Sequence, residues 1–161
     1  MKIFSLAQQA KIVELLAPAA DAAGRTSDAI SMKNCAKAFV VFHITQGNAA
    51  TILLTPRMAT DVAIGTNKVF TNLLPIWADL DTAASDALVR ATDAINYTTD
   101  AGVKNKVVVF EVDPSSMDVN GGYDVLYFTT GASNAANITQ AMAYLMGLRY
   151  EQSLPPSAIV D

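Results

Sequence analysis

The chain has 161 residues, of which 52% are hydrophobic and only 16% are charged, and its net charge at pH 7 is −4. This length predicts one domain with a core of ordinary size. Its basic residues are scattered, without the cluster that nucleic acid or an anionic membrane surface would need. A charged share below the roughly 25% of an average soluble protein predicts a surface that contacts other subunits.

The N-terminal segment, residues 1–16, is compatible with either an amphipathic helix or a strand. Polar residues such as Gln8 and Glu14 interrupt the apolar stretch that a secretion signal would need. The apolar run 12–16 is predicted to end at Ala17-Pro18 and to lead into a loop of small residues. No run reaches the ~20 apolar residues that span a bilayer.

Residues 37–45 (KAFVVFHIT) form the strongest single strand pattern. Phe39 and Val41 share one face of that strand, and Val40 and Phe42 share the other, so both faces are apolar. We interpret this as an internal strand of a packed sandwich. The turn residues 46–48 and the following run 50–55 then predict a hairpin with it.

The second half of the chain carries further β-rich runs. Residues 107–112 (VVVFEV) end at Asp113-Pro114, and residues 123–130 (YDVLYFTT) follow a glycine-rich turn. Pro75 argues against a central strand in 73–80. Residues 138–151 contain alanine and methionine, which favour helix, but Gly147 and the surrounding β pattern favour a last strand.

Many short apolar runs separated by Gly, Pro, Asn and Asp predict an all-β fold. We expect one antiparallel β-sandwich or jelly-roll-like domain over residues 1–161, with at most one short helix. No glycine-rich phosphate-binding motif occurs in the sequence. The single cysteine excludes a disulfide within the chain and fits synthesis in a reducing cytoplasm.

The sequence predicts no catalytic residue, no metal ligand and no cofactor. His43, the only histidine, lies within an apolar strand, where a structural role is the usual one. Cys35 has no second ligand-rich segment beside it. The pair Asp79 and Asp81 could bind a divalent cation, although a solvated loop is the expected state. Trp77 and several tyrosines could line a sugar-binding face or serve as ordinary core residues.

The order of segments resembles that of small structural proteins of tailed bacteriophages. Four stretches carry the resemblance: residues 16–44 (LAPAAD…FVVFHI), 72–94 (NLLPIWADL…TDA), 104–131 (KNKVVVFEV…FTTG) and 143–161 (AYLMGLRY…AIVD). The resemblance implies a capsid decoration, or cement, protein that binds the major capsid protein on the virion surface and bridges its subunits. A purely structural role without enzymatic activity follows from the resemblance, whereas the low charge predicts self-association and the scattered basic residues predict no nucleic-acid or membrane partner.

Two terminal segments, residues 1–16 and 154–161, are candidate arms for contact with a neighbouring subunit. The predicted interface residues of the second arm are Leu154, Pro155, Pro156, Ile159 and Val160. The two prolines favour extended backbone, and Ile159-Val160 supplies an apolar tip that a groove could bind. An unordered terminus is the other interpretation. For the whole chain, the alternatives are a neck, tail or fibre-anchoring module, a carbohydrate-binding jelly roll, or an enzyme.

Overall fold

The computed structural model describes residues 5–149 and 157–160. Its one α-helix in that part of the chain is α1 (Leu6–Gln9), and two short 3-10 turns lie at Pro114–Ser116 and Val119–Gly121. The strands are β1 (Ala10–Ala20), β2 (Arg25–Thr26), β3 (Ile30–Ser31), β4 (Lys37–Gln46), β5 (Leu53–Ala59), β6 (Asn67–Val69), β7 (Ile76–Asp79), β8 (Val89–Arg90), β9 (Tyr97–Thr98), β10 (Asn105–Val112), β11 (Val125–Thr130) and β12 (Asn137–Met146).

The strands form two antiparallel sheets that pack face to face, which confirms the predicted mainly-β sandwich. The first sheet has the order β1-β12-β4-β10-β7-β8. The second has β11 and β5 at its centre, with β2 and β3 beside β11 and with β6 and β9 beside β5. Within the described residues, no helix has the length and apolar character needed to cross a bilayer.

The core lies between the two sheets and consists of alternate residues of each long strand. In β4 the buried residues are Ala38, Val40, Phe42, Ile44 and Gln46, as the two-residue period of a strand requires. Phe110 of β10 and Phe128 of β11 meet Phe42 edge to face, with ring centroids 5.9 and 5.2 Å away. This aromatic cluster joins the first sheet to the second.

The N-terminal segment, for which the sequence leaves helix and strand open, contains both, because Leu6–Gln9 form α1 and β1 begins at Ala10. Strand β1 is an edge strand that pairs only with β12, and its register shifts twice between Glu14 and Ala19. These irregularities and the edge position accommodate Pro18, which cannot donate a hydrogen bond to a neighbouring strand. The strand therefore continues past Ala17-Pro18 to Ala20, and the predicted end of the run is wrong.

Two further predictions have clear outcomes. Residues 137–146 form strand β12, which confirms the preference for a strand over a helix there. The strand ends before Gly147, whose φ of 61° suits glycine.

The predicted hairpin of 37–45 with 50–55 is wrong, because β4 lies in the first sheet and β5 in the second. The glycine-containing turn crosses from one sheet to the other.

A buried lysine lies on the inner face of the first sheet. The Lys106 ammonium donates to Gln46 Oε1 at 2.9 Å and to the Asp100 carbonyl at 3.0 Å, and it pairs with the Asp100 carboxylate. This ion pair lowers the pKa of Asp100 below its ordinary value. The positive charge of Lys106 is therefore directed into the sandwich and away from the opposite face of the sheet.

Candidate functional site

The outer face of the first sheet is apolar across its central strands. The strand register aligns one row that crosses all six strands: Glu14, Met142, Val41, Val109, Trp77 and Arg90. In the neighbouring row, Ile12, Tyr144 and Phe39 lie side by side. These apolar side chains are mostly half-buried, and the described helices and strands form no third layer over them. We call this surface, centred on Val41, the apolar face.

The outer face of the second sheet is polar along part of its length. Thr26, Thr129 and Thr55 form one row there, and Tyr127 and Arg57 lie in the next row. Beyond them, apolar residues of this face pack with the loop that follows β5, in a cluster of Val125, Ala59, Tyr127, Val62 and Ile64. In the first sheet, the middle of β4 and β10 is apolar on the outer side as well as on the inner side. A strand that is apolar on both faces is typical of a sheet covered on both faces.

The indole ring of Trp77 is held by two contacts within the protein. Its indole nitrogen donates to Glu111 Oε1 at 2.8 Å, and the Arg90 guanidinium lies 5.2 Å from the ring centroid. Glu111 also pairs with Lys37 at 3.1 Å. Since a guanidinium already occupies one ring face, Trp77 resembles a packed interface residue more than an open stacking platform.

A cleft of about 620 Å³ lies on the outer side of the first sheet, next to the apolar face. Its floor is the row Gln140, His43, Val107 and Asp79, contributed by four adjacent strands. The loop that follows β7 forms one wall, with Asp86 and Leu88, and Pro18 and Ile138 line the cleft as well. The volume is in the range of small-ligand sites.

The wall loop is held in place by its own backbone and by β10. Thr82 donates its N–H to the Asn105 carbonyl at 3.1 Å, and Ala84 and Ser85 both donate to the Asp81 carbonyl. The Asp81 carboxylate pairs with Lys104, which lowers the pKa of Asp81. These hydrogen bonds and this ion pair fix the wall of the cleft.

Asp79 is the most deeply buried acid of the cleft, with only 7% of its surface exposed. Its Oδ1 accepts a hydrogen bond from the Asp81 backbone N–H at 3.0 Å. Its second oxygen accepts none from any residue that the structure describes, and this oxygen is not enclosed. It is therefore open to a ligand that enters the cleft.

The two residues considered for nucleophilic chemistry lie apart. His43 is exposed on the outer face of β4, at the floor of the cleft. Cys35 precedes β4, and its thiol contacts the Met32 carbonyl at 3.7 Å. Burial, together with the nearby negative charge of Asp113, raises the pKa of the Cys35 thiol to about 11. Little thiolate is present at neutral pH, so Cys35 is poorly suited to act as a nucleophile.

The DxD pair belongs to this cleft and its wall. Asp79 faces the cleft and Asp81 is held by Lys104, so the two carboxylates do not act together. Among residues 5–149 and 157–160, no group of three or more His, Cys, Asp or Glu side chains is arranged to hold a metal ion. The sequence gives no spacing signal for the cleft, because its floor residues come from four separate strands.

The predicted C-terminal interface residues are only partly described. Leu154, Pro155 and Pro156 lie outside the described residues. Ile159 and Val160 are exposed, as an apolar tip requires. Between them and the prolines, Ala158 is only 6% exposed, and its carbonyl accepts a hydrogen bond from the Ser31 N–H at 2.7 Å. Likewise, residues 10–16 of the predicted N-terminal arm belong to β1.

Removing residues 157–161 is expected to lower the free energy of unfolding by about 1–2 kcal/mol, because one hydrogen bond and one buried methyl group are lost. The double substitution Ile159→Ser and Val160→Ser is the matched control and should leave stability unchanged, since both side chains are exposed. Urea unfolding followed by tryptophan fluorescence measures both. Equal stability of the truncated and full chains would show that Ala158 does not anchor the terminus.

The fold and its outer surfaces define a two-sheet antiparallel sandwich with one apolar outer face and an acidic cleft beside it. No protein-family model matches the chain, and the comparison with curated proteins gives no match. Among solved structures, the chain is similar to the crystal structure of the SPBc2 prophage-derived protein YomS. The TM-score is 0.45 at 10% sequence identity, and the alignment covers 84% of this chain and 92% of that one.

Proposed function

We propose that the protein is a non-enzymatic virion structural protein, a capsid decoration protein that binds the major capsid protein through its apolar face. The observation that carries the proposal is the row of apolar side chains on the outer side of the first sheet, with Val41 at its centre. Contiguous apolar surface of this kind marks interaction sites. The low charge of the chain and its resemblance to small phage structural proteins support the same function.

The charges near the apolar face suit protein contact. Glu111 is neutralised by Lys37 and hydrogen-bonded by Trp77, so covering it does not leave an unpaired carboxylate. Glu14 and Arg90 lie at the two ends of the central row, on β1 and β8. An apolar centre with a charged rim is the usual composition of a protein interface. On the opposite outer face, one row consists of threonines, and the apolar residues beside Tyr127 are already packed with Val62 and Ile64.

The substitution Val41→Lys is expected to weaken binding to assembled capsid shells roughly thirtyfold or more, because an ammonium would be desolvated at the interface centre. Co-sedimentation of the purified variant with shells that lack the protein measures the effect. Thr129→Lys is the matched control, since Thr129 has the equivalent central position on the outer face of the second sheet.

Two results would contradict this assignment. Normal coating by Val41→Lys would exclude the apolar face as the contact surface. Equal loss of binding by Thr129→Lys would show that the effect is not specific to one face. Copy number in purified virions separates decoration from the alternative neck, tail or fibre-anchoring role, because decoration requires a number comparable to that of the major capsid protein.

A further inference from the structure

We infer that the cleft beside the apolar face binds the side chain of an arginine or lysine presented by the partner polypeptide. The inference rests on the proposed function, because the cleft adjoins the face assigned to the capsid contact. It specifies one contact of that interface, between a cationic side chain of the partner and the cleft. The observations that carry it are the shape of the cleft, its charge and the state of Asp79.

The charge of the cleft is negative. Asp79 and Asp86 both line it. The only lysine or arginine among its lining residues is Lys106, whose ammonium is directed to Gln46 and Asp100 inside the sandwich. Lys104, next to the wall loop, is paired with Asp81. Among residues 5–149 and 157–160, no lysine or arginine therefore pairs with the carboxylates of the cleft, and the field inside favours a positively charged group.

Asp79 supplies the second, independent observation. The residue is more than nine-tenths buried, one of its carboxylate oxygens accepts a hydrogen bond from the Asp81 N–H, and the other is open to the cleft. A carboxylate can accept several hydrogen bonds, and one in this position is stabilised by a donor that carries positive charge. Asp79 lies at the end of the floor row, beside Val107, so a group entering the cleft can reach the second oxygen.

The walls of the cleft select a long side chain over a bare ion. Leu88, Pro18, Ile138 and Val107 supply apolar surface along which a chain of methylene groups can lie. Lysine and arginine combine such a stem with a cationic head. His43 and Gln140 lie toward the other end of the floor, beyond Val107, at two and three strand spacings from Asp79, or roughly 10 and 14 Å. They can hydrogen-bond the backbone from which the side chain projects.

The test uses the full chain labelled with ¹⁵N and three soluble probes. N-acetyl-arginine methylamide and N-acetyl-lysine methylamide carry the predicted charge, and N-acetyl-citrulline methylamide is the neutral counterpart of the arginine probe. We expect the two cationic probes to shift the amide resonances of His43, Val107 and Asp79, and to do so less at high salt. The citrulline probe should cause no such shifts. Equal shifts with all three probes, or shifts that map elsewhere, would overturn the inference.

Asp79→Asn keeps the shape of the side chain and removes its charge, and it should weaken binding of the arginine probe roughly tenfold or more. Asp28→Asn is the matched control, because Asp28 is exposed, lies outside the cleft and changes the net charge equally. Unchanged binding by Asp79→Asn would overturn the inference. Tighter binding of spermidine than of a pentapeptide with a central arginine would also overturn it, in favour of a free polyamine as the ligand.

Shell binding separates this inference from the proposed function. If Val41→Lys loses shell binding while Asp79→Asn coats shells normally, the decoration function stands and the assignment of the cleft fails. If the probes bind the cleft and neither the wild type nor Asp79→Asn sediments with shells, the cleft is a cation site and the proposed function fails. Loss of shell binding in Asp79→Asn, with retention in Asp28→Asn, supports both.

Discussion

Phe42→Ala is expected to lower the free energy of unfolding by about 3–5 kcal/mol, the range for a fully buried phenylalanine. Phe42 is completely buried on the inner face of β4, and its ring contacts Phe110 and Phe128 edge to face. The substitution removes apolar surface from the core and leaves a cavity between the two sheets. It also removes two aromatic contacts, each adding about 0.5–1.5 kcal/mol beyond burial.

The same strand offers the control. Phe39→Ala, three residues earlier, removes an identical side chain from the outer face, where it is only half-buried. Phe39→Ala should lower the free energy of unfolding of the isolated protein by only about 1 kcal/mol, because folding buries less of the apolar surface of Phe39 than of Phe42. Urea unfolding measures both, and Phe110→Ala should behave like Phe42→Ala. Near-wild-type stability of both core variants would contradict the assignment of β4 and β10 to the packed core.

The strands that the sequence predicts best are those with unbroken β-branched and aromatic runs. Residues 37–45 and 107–112 are predicted with nearly the bounds of β4 and β10, because valine, isoleucine and phenylalanine fit a pleated surface. The short strands β2, β3, β8 and β9 have no such run. They form because a long neighbour presents free backbone groups, as β11 does to β2 and β3.

The sequence predicts where the strands lie better than it predicts which strands pair. The turn at 46–48 predicts a hairpin, since sequential strands often pair, but β4 instead pairs with β10 and β12, which come much later in the chain. The choice depends on which sheet buries Ile52 and Leu54, and these residues pack in the common core from the second sheet. A single sequence carries no direct signal for such long-range partners.

The sequence pattern predicts only part of the candidate site. The sequence of β4 predicts that both of its faces lie inside a sandwich, and this is correct for Val40 and Phe42. Phe39 and Val41 instead form the apolar face, which no described layer covers. The sequence predicts a solvated loop for Asp79, but the residue ends β7 and is buried. Its burial depends on the loop above it and on its neighbours in the sheet.

Arg25→Met is expected to lower the free energy of unfolding by about 3–5 kcal/mol, because it leaves a fully buried carboxylate without its cation. Asp21, at the end of the sandwich where β1 leads toward β2, is completely buried, and its Oδ1 accepts hydrogen bonds from Arg25 Nε at 2.9 Å and Thr130 Oγ1 at 2.8 Å. The guanidinium also donates to the carbonyls of Ala17 and Thr139. One arginine thus joins β1, β11 and β12.

A double-mutant cycle combines Arg25→Met with Asp21→Asn, which removes the charge of the Asp21 side chain and keeps its shape. The double variant, Asp21→Asn with Arg25→Met, should be more stable than Arg25→Met alone, because a neutral amide needs no counterion. Chemical denaturation of all four proteins gives the coupling free energy, which should favour the native pair by at least about 1 kcal/mol. Additive effects would show that Arg25 acts through its backbone contacts and packing. A large coupling would show that the Asp21–Arg25 pair itself stabilises the fold.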